Sequence, residues 1–301
     1  MPPSTVQQAA DSRTASRRPV RAVEIDAAAA SDGHDLDDAI AEIYAGRYDV
    51  VVERGAFDAA TLEAAGERLD VDASALPWAR PNVRAPLDDV RLLGTDAPAT
   101  PTFQAPRGVA LDDYLASSAA HAADAAGVFA PGFDAEGAIC DVLSRFAGGR
   151  PVQVARADDG RRFVPFTIRR LVEGTQLSVH HDLHYGLELY RELARRVDTR
   201  TLVSFVATLR APLAGGELVV YGATSDERDL PCLPNGFAYD LAAIEQRYER
   251  AAFRTGAGDL FLLAAGRCLH RVERVVGPRS RITMGGFLAL DAGHERVLVW
   301  S

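Results

Sequence analysis

The sequence predicts an α+β, mainly β protein whose core is a β-barrel or jelly roll. Two observations support this class. From about residue 151 onward, short apolar runs of strand length alternate with turns containing Gly and Pro, whereas earlier apolar residues recur mostly at helical spacing. Seven or eight such runs suffice for a barrel or jelly roll. We therefore expect a disordered tail over residues 1–20, a mixed helical support region over 21–150 and a β core over 151–301, with 21–301 forming one structural domain.

The first half is predicted to be largely helical, with one strand and one irregular segment. The first twenty residues are polar and rich in Ser, Gln and Arg, which is typical of disorder. Six prolines between Leu76 and Arg107 predict irregular structure there. The predicted helices are Asp35–Tyr44, Ala59–Leu69 with Asp58 as N-cap, Leu111–Ala126 and Ala135–Phe146, and the predicted strand is Tyr48–Arg54.

The second half is predicted to form the sheet core. Its first two strands, Pro151–Ala155 and Arg162–Leu171, are expected to pair as a hairpin across Asp158-Asp159-Gly160. Residues 222–258 are interpreted as an irregular insertion. The further strands are the run that ends at Asp182, Leu202–Leu209, Glu217–Tyr221, Asp259–Ala265, His270–Val276 and Arg281–Leu290, with helical pieces at Leu187–Val197 and Leu241–Ala252.

Composition restricts the compartment and the partners. The chain has 301 residues, a net charge of −9 and no apolar run of the roughly 18 residues needed to cross a bilayer. Negative charge argues against nucleic-acid and anionic-membrane partners, and the N-terminus lacks the apolar stretch of a secretory signal. Three distant cysteines, Cys140, Cys232 and Cys268, leave one thiol unpaired in any monomer. We expect a cytoplasmic monomer or homodimer.

The chain contains no lysine, so that all 33 basic residues are Arg. This composition excludes a Schiff-base lysine, a Walker A phosphate loop and a lysine general base.

A candidate metal site lies around the sequence His180-His181-Asp182. This run follows the apolar stretch Phe166–Leu171 and a turn at Glu173-Gly174. Side chains alternate along a strand, so His180 and Asp182 share a face. His270 follows Asp182 by 88 positions (270 − 182) after another apolar run. Two His and one carboxylate on one face suit non-haem Fe(II) and O2.

Alternative assignments remain open at this site. His184 is a rival for either upstream ligand, and His181 or His184 is equally suited to a supporting or substrate-facing role. Arg169 or Arg170, on the strand before the triad, is either a partner for a substrate carboxylate or a solvated charge at a strand edge.

These motifs together resemble the Fe(II)- and 2-oxoglutarate-dependent oxygenases of the prolyl-hydroxylase-like branch. The likeness covers roughly residues 150–290 and rests on HHD at 180–182, GGELVVYG ending at Gly222, GDLFLLAAGRCLH at 258–270 and HRVERVVGPRSRIT at 270–283. It implies a double-stranded β-helix (jelly-roll, cupin-like) core, with His180, Asp182 and His270 as metal ligands and catalytic residues. It also implies a basic 2-oxoglutarate anchor, which we assign to Arg279, with Arg281 as the rival and Thr283 as a helper.

The resemblance implies the reaction as well. Fe(II), 2-oxoglutarate and O2 would hydroxylate an unactivated C–H bond of a small molecule, an amino acid derivative or a natural-product intermediate, with release of succinate and CO2. Desaturation and ring closure are alternatives. Ascorbate is the expected in-vitro reductant. Related halogenases replace the carboxylate with a small residue, so Asp182 favours hydroxylation over halogenation.

Two other functions compete with this expectation. One is a peptidyl or prolyl-type protein hydroxylase. The other is a non-catalytic cupin-like module that holds Zn or Ni, which accounts for His180, Asp182 and His270 but gives Arg279 no purpose.

Overall fold

A computed structural model of the protein describes residues 18–28, 36–71, 78–79, 90–93, 111–112, 114–116, 118, 127–182, 191–233 and 239–301. Within these residues the fold is sheet-rich, with short helices. The helices are α1 (Ala39–Tyr44), α2 (Ala59–Val71), α3 (Ala135–Ser144), α4 (Arg191–Ala194) and α5 (Leu241–Arg247). The strands are β1 (Ala22–Asp26), β2 (Val50–Arg54), β3 (Trp78–Ala79), β4 (Val90–Leu93), β5 (Val152–Val154), β6 (Thr167–Leu171), β7 (Leu177–His180), β8 (Val203–Arg210), β9 (Leu218–Thr224), β10 (Arg250–Phe253), β11 (Leu260–Leu263), β12 (Cys268–Val272), β13 (Arg281–Leu290) and β14 (Val297–Trp300).

The strands form two sheets of unequal size. The larger has the order β1-β2-β11-β8-β13-β6-β4-β3, and β14 joins β13 to β5. Its pairs are antiparallel except β1 with β2 and β5 with β14, which are parallel. The smaller sheet, β10-β9-β12-β7, is antiparallel throughout. The cavity described below lies between the two sheets, because strands of both contribute to its lining.

The larger sheet has one apolar face and one mixed face. Alternate residues of β13, such as Ile282 and Met284, join a buried apolar cluster that includes the helix residues Ile40 and Leu62. The intervening residues of β13 point to the cavity instead. The pleat therefore separates a packing face, covered by α1 to α3, from a face available for chemistry.

Aspartate side chains begin several helices. Asp38, Asp134 and Asp240 accept hydrogen bonds from backbone N–H groups in the first turns of α1, α3 and α5. Asp58 accepts from Thr61 N at 2.8 Å and thus caps α2, as the sequence predicts.

Most predicted strands of the second half are confirmed within a few residues at each end. The bounds of β13 coincide with the predicted Arg281–Leu290. The first-half strand and the helices at 59–69 and 135–146 are confirmed as β2, α2 and α3.

Other predictions of local structure were confirmed only in part. The hairpin expected over 151–171 forms only around its turn, where Arg156 bridges Arg162 and the N–H groups of Ala157 and Phe163 donate to the carbonyls of Arg161 and Ala155. Beyond the turn the two strands separate, because β5 pairs with β14 and β6 pairs with β13 and β4. The helix predicted up to Ala252 ends at Arg247, because the next residues pair with β9 as strand β10.

Further strands escaped sequence reasoning. β3 and β4 lie inside the proline-rich segment, and β1 and β14 were not predicted. Because β1 to β4 join the larger sheet, the first half supplies strands as well as helices. The predicted tail falls almost wholly outside the described residues, as do most of the helix predicted at 111–126 and the beginning of that at 187–197. No described helix is both long and apolar enough to span a membrane.

Candidate metal and cosubstrate site

Three buried side chains converge between the two sheets. His180 ends β7, Asp182 follows two residues later, and His270 lies on β12 directly opposite His180 in the antiparallel ladder. One potential ligand atom from each of the three lies within 4.8 Å of the others. The triad proposed from the sequence is therefore brought together, although 88 positions (270 − 182) separate its last two members.

The orientation of each group favours metal binding. Nδ1 of His180 lies 2.5 Å from the carbonyl oxygen of Ser178, and Nδ1 of His270 lies 3.0 Å from that of Cys268. A carbonyl only accepts, so each Nδ1 carries the proton and each Nε2 presents a lone pair. The Nε2 atoms lie 3.7 and 3.6 Å from the two carboxylate oxygens of Asp182.

Asp182 is itself held in place. Its backbone N–H donates to the carbonyl of Ala265 at 2.8 Å, and the Ser204 hydroxyl donates to Oδ2 at 3.1 Å. Such contacts orient a ligand before a metal arrives.

Burial keeps His180 neutral. Desolvation, together with the neighbouring His270, lowers the pKa of His180 to about 3. Two imidazoles and one carboxylate, with no thiolate, form a donor set that fits a divalent transition metal such as Fe(II).

The triad borders a cavity of about 70 Å³. Its wall is mostly apolar, and polar side chains cluster on the strands β6, β8 and β13. The lining residues are Thr167, Arg169, Leu177, His180, Asp182, Ser204, Val206, Leu218, Phe261, Leu263, His270, Val272, Arg281, Thr283, Gly285, Gly286, Phe287 and Ser301.

Of the two arginines considered as cosubstrate anchors, Arg281 reaches the cavity and Arg279 does not. Arg281 is 4% exposed and donates to the Thr283 hydroxyl at 3.5 Å. Arg279 donates to Glu63 on α2 at 2.6 Å, and its side chain is 34% exposed. β13 begins at Arg281, so strand alternation does not extend back to residue 279.

A glycine makes room for Arg281. Gly216 precedes β9 with a φ of +73°, and a Cβ there would lie 3.0 Å from Cδ of Arg281. The Gly215-Gly216 pair is thus more than a turn signal, because a side chain at Gly216 would crowd the arginine.

The adjacent arginines of β6 diverge. Arg169 lines the cavity, whereas Arg170 points to the other face of the sheet and donates to Asp70 at 2.8 Å. Burial is the main cause that lowers the pKa of Arg169, and also that of Arg281, to about 10. Both guanidiniums remain charged at neutral pH.

The other histidine candidates differ from the triad. His181 points away from it, and Nδ1 of His181 lies 2.8 Å from the Tyr239 hydroxyl. Residue 184 lies outside the described part of the chain.

Sequence reasoning missed Ser204 altogether and left Arg169 undecided. The signal for Ser204 was a hydroxyl in the otherwise apolar first part of β8. The signal for Arg169 was its even separation from Thr167, which also faces the cavity.

Comparison with known proteins locates this site within a family. The model of the family described as carrier-protein-independent halogenase WelO5 matches residues 20–301. No curated protein matches significantly.

Solved structures with similarity to this chain include three from bacteria. HygX from Streptomyces hygroscopicus, solved with nickel and 2-oxoglutarate bound, has 14% identity over 82% of this chain and 85% of its own, with a TM-score of 0.45. A Pseudomonas putida prolyl-4-hydroxylase has 15% identity, coverages of 83% and 96%, and a TM-score of 0.41. A 2OG-Fe(II) oxygenase family oxidoreductase from Burkholderia pseudomallei has 17% identity, coverages of 85% and 90%, and a TM-score of 0.41.

Proposed function

Because the chain belongs to the family of the carrier-protein-independent halogenase WelO5, a branch of the 2-oxoglutarate-Fe(II) oxygenases, we propose that it is an Fe(II)- and 2-oxoglutarate-dependent oxygenase that hydroxylates a C–H bond of a small molecule instead of halogenating it. The observation that carries this proposal is the carboxylate of Asp182, which shares the ligand cluster with His180 and His270. Asp182 would take the coordination position that a halide needs.

His180, Asp182 and His270 are proposed as the metal ligands. Their support is the convergence of the ligand atoms, together with the Nδ1 contacts that aim both Nε2 atoms at one point. Ser204 holds the carboxylate of Asp182 and limits its rotation.

Arg281, assisted by Thr283, is proposed as the anchor of the distal carboxylate of 2-oxoglutarate. A guanidinium pairs with a carboxylate through two parallel hydrogen bonds. Burial of Arg281 beside the cavity supports this role. Arg279 is less suited to this role, because its guanidinium forms an ion pair with Glu63.

When bound, Fe(II) and 2-oxoglutarate supply the oxidising chemistry, in which O2 is consumed, succinate and CO2 are released, and a C–H bond of the substrate becomes C–OH. The protein positions these reactants and keeps water away from them. Leu177, Leu218 and Val272 line the cavity on the side of the smaller sheet, and Phe261 lines it on the larger. An apolar wall lowers the local dielectric constant and so strengthens electrostatic contacts beside it.

The alternatives are less well supported. A metal-binding module without catalysis would not explain why a buried arginine, Arg281, lines the same cavity as His180, Asp182 and His270. Halogenation is favoured by the family match, but the family chemistry needs an open position where this chain carries Asp182. A protein hydroxylase would need an extended groove for a peptide, whereas the described lining residues border a cavity of about 70 Å³.

We also propose a double-stranded β-helix (jelly-roll) core for the two facing sheets, within one structural domain over residues 21–301. The three thiols without a disulfide partner, Cys140, Cys232 and Cys268, suit a cytoplasmic enzyme.

Succinate formation tests the reaction class. Anaerobically purified protein receives Fe(II), 2-oxoglutarate and ascorbate, and is then exposed to air beside an Asp182→Ala control. We expect slow succinate release without any added substrate, and its loss in the control. No succinate, combined with no 2-oxoglutarate binding to the metal-loaded protein, would refute the oxygenase proposal and leave the metal-binding module.

A further inference from the structure

We propose that Arg169 is a second cation of the cosubstrate site, which binds the carboxylate next to the 2-oxo group while Arg281 binds the distal one. This inference rests on the proposed function. It extends that function, because it assigns each end of the dicarboxylate to a different strand.

The register of the larger sheet places the two arginines side by side. Arg169 on β6 lies directly opposite Thr283 on β13, and Arg281 lies opposite Leu171. The arginines are therefore diagonal neighbours on adjacent strands, a relation that separates them by about 7–8 Å. Both border the same cavity. Their separation suits two groups that hold opposite ends of one short dicarboxylate.

Of the two arginines, Arg169 is the one closer to the candidate metal ligand Asp182. Attraction to Asp182 favours the ionised form of Arg169. Arg281 experiences repulsion from Arg169 and attraction to Glu217. The sheet register gives the same order. Ser204, which donates to Asp182, lies opposite Phe287 of β13. Arg169 lies opposite Thr283, closer to Phe287 than Arg281 is along the same strand. The order along the sheet is therefore Asp182, then Arg169, then Arg281. A 2-oxo acid whose head lies at the metal would present its first carboxylate near Arg169 and its far carboxylate near Arg281.

Charge balance favours an anion between the two guanidiniums. Among the described residues that line the cavity, Asp182 is the only acidic side chain, whereas Arg169 and Arg281 are both basic. Two like charges in an enclosed space repel each other strongly unless a counter-charge lies between them. A dianion meets this need more fully than one carboxylate at a single arginine.

Accessibility of Arg169 agrees with a ligand-facing group. Its pKa is lowered mainly by burial, yet the residue keeps partial solvent accessibility. The two observations are compatible because Arg169 borders the cavity and is otherwise enclosed by protein. Arg170, its neighbour in sequence, instead pairs with Asp70 outside the cavity.

Binding of three probe acids to the metal-loaded protein tests the assignment. Mn(II) is used so that no turnover occurs, and affinity is measured by calorimetry. The probes are 2-oxoglutarate, 2-oxopentanoate, in which a methyl group replaces the distal carboxylate, and glutarate, which lacks the 2-oxo group. The variants are Arg169→Gln and Arg281→Gln, with Arg279→Gln as the matched control.

We expect different signatures from the two arginines. Arg169→Gln should weaken the binding of 2-oxoglutarate and of 2-oxopentanoate by the same factor, about tenfold or more. The preference for 2-oxoglutarate over 2-oxopentanoate should therefore persist. Arg281→Gln should weaken the binding of 2-oxoglutarate but not that of 2-oxopentanoate, and so abolish the preference for 2-oxoglutarate. Glutarate should lose affinity in both variants. Arg279→Gln should bind all three as the wild type does.

Controls separate binding from folding. Melting temperature and Mn(II) affinity are measured for each variant, and Arg169→Lys, which retains the charge, should recover part of the lost affinity. A folded Arg169→Gln protein that binds both 2-oxo acids as tightly as the wild type would overturn the inference. Weaker binding of 2-oxoglutarate but not of 2-oxopentanoate by Arg169→Gln would also overturn the inference. If the wild type itself fails to bind 2-oxoglutarate, the proposed function fails first.

Discussion

Arginines on the two faces of the larger sheet have different surroundings. On the cavity face, Arg169 and Arg281 lie beside the metal cluster. On the opposite face, Arg170 pairs with Asp70 at 2.8 Å, and Arg279, just before β13, pairs with Glu63 at 2.6 Å. Carboxylates from α2 thus meet the outward charges, whereas the inward charges face a cavity. For the neighbours Arg169 and Arg170, position relative to the pleat, and not residue type, separates the arginine that lines the cavity from the one that pairs with α2.

The smaller sheet repeats this contrast with histidines. His180 faces the cluster, while the adjacent His181 faces Tyr239. Substitution of matched neighbours therefore tests whether the pleat assigns function.

Metal binding should show the largest difference. His180→Ala removes one of three proposed ligands, so Fe(II) affinity should fall at least about a hundredfold, whereas His181→Ala should stay within about threefold of the wild type. Loss of a strong ligand bond cannot be offset in a buried site. Calorimetric titration with Fe(II) under anaerobic conditions measures both. Equal losses in the two variants would mean that His181 also contributes to the site.

Cosubstrate affinity should show the next largest difference. Arg281→Gln should raise the KM for 2-oxoglutarate about 10- to 100-fold, because a charge-assisted hydrogen-bonded pair is lost. Arg279→Gln should leave that KM within about twofold of the wild type, since it removes an ion pair at the surface. Succinate formation at varied 2-oxoglutarate provides the measurement. A larger effect at Arg279 would restore it as the anchor.

Substitutions on the α2 side of the larger sheet should lower the free energy of unfolding more than substitutions on its cavity side. This change should be smaller than the changes in metal and cosubstrate affinity. Asp70 accepts hydrogen bonds from Arg170 and Ser280, so Asp70→Asn should lower the free energy of unfolding by about 1–2 kcal/mol. The Fe(II) affinity should not change. Urea denaturation at pH 7 measures the loss, and an unaltered midpoint would show that the α2 contact contributes nothing.

The same substitution should have a pH signature. Burial alone would raise the pKa of Asp70, but hydrogen bonds from Ser280 and Arg170 lower it overall. The ionised carboxylate therefore stabilises the fold above the unfolded pKa of about 3.9. That stabilisation disappears as the pH falls through the lower folded value. The difference in unfolding free energy between wild type and Asp70→Asn should accordingly shrink below about pH 4. A constant difference down to pH 2 would contradict the assignment.

The sequence predicted the strands that carry the cluster because their apolar runs are strong and bounded by clear turns. β13 was predicted at its full length. The sequence also predicted that His180, Asp182 and His270 converge, but it did not predict that His180 lies directly opposite His270. Pairing between distant strands was harder to predict. The hairpin expected over 151–171 forms only around its turn, because its first strand, β5, pairs with β14, which was not predicted.

Sequence spacing could not decide whether Arg279 or Arg281 faces the cosubstrate site, because it does not show where the strand begins. Alternation applies only within a strand, and β13 begins at Arg281. The carboxylates of α2 that engage Arg279 and Arg170 come from residues more than 90 positions away, which no local pattern reveals.

Whether Asp182 excludes a halide from the metal is the question that most directly tests the proposed hydroxylase. The visible charge-transfer absorption of the anaerobic protein with Fe(II) and 2-oxoglutarate would be recorded during titration with chloride and bromide, in the wild type and in Asp182→Gly. We expect the wild-type spectrum to stay constant and that of Asp182→Gly to shift in a saturable manner. A saturable shift in the wild type would contradict the account, because a halide would then bind the metal while Asp182 is present.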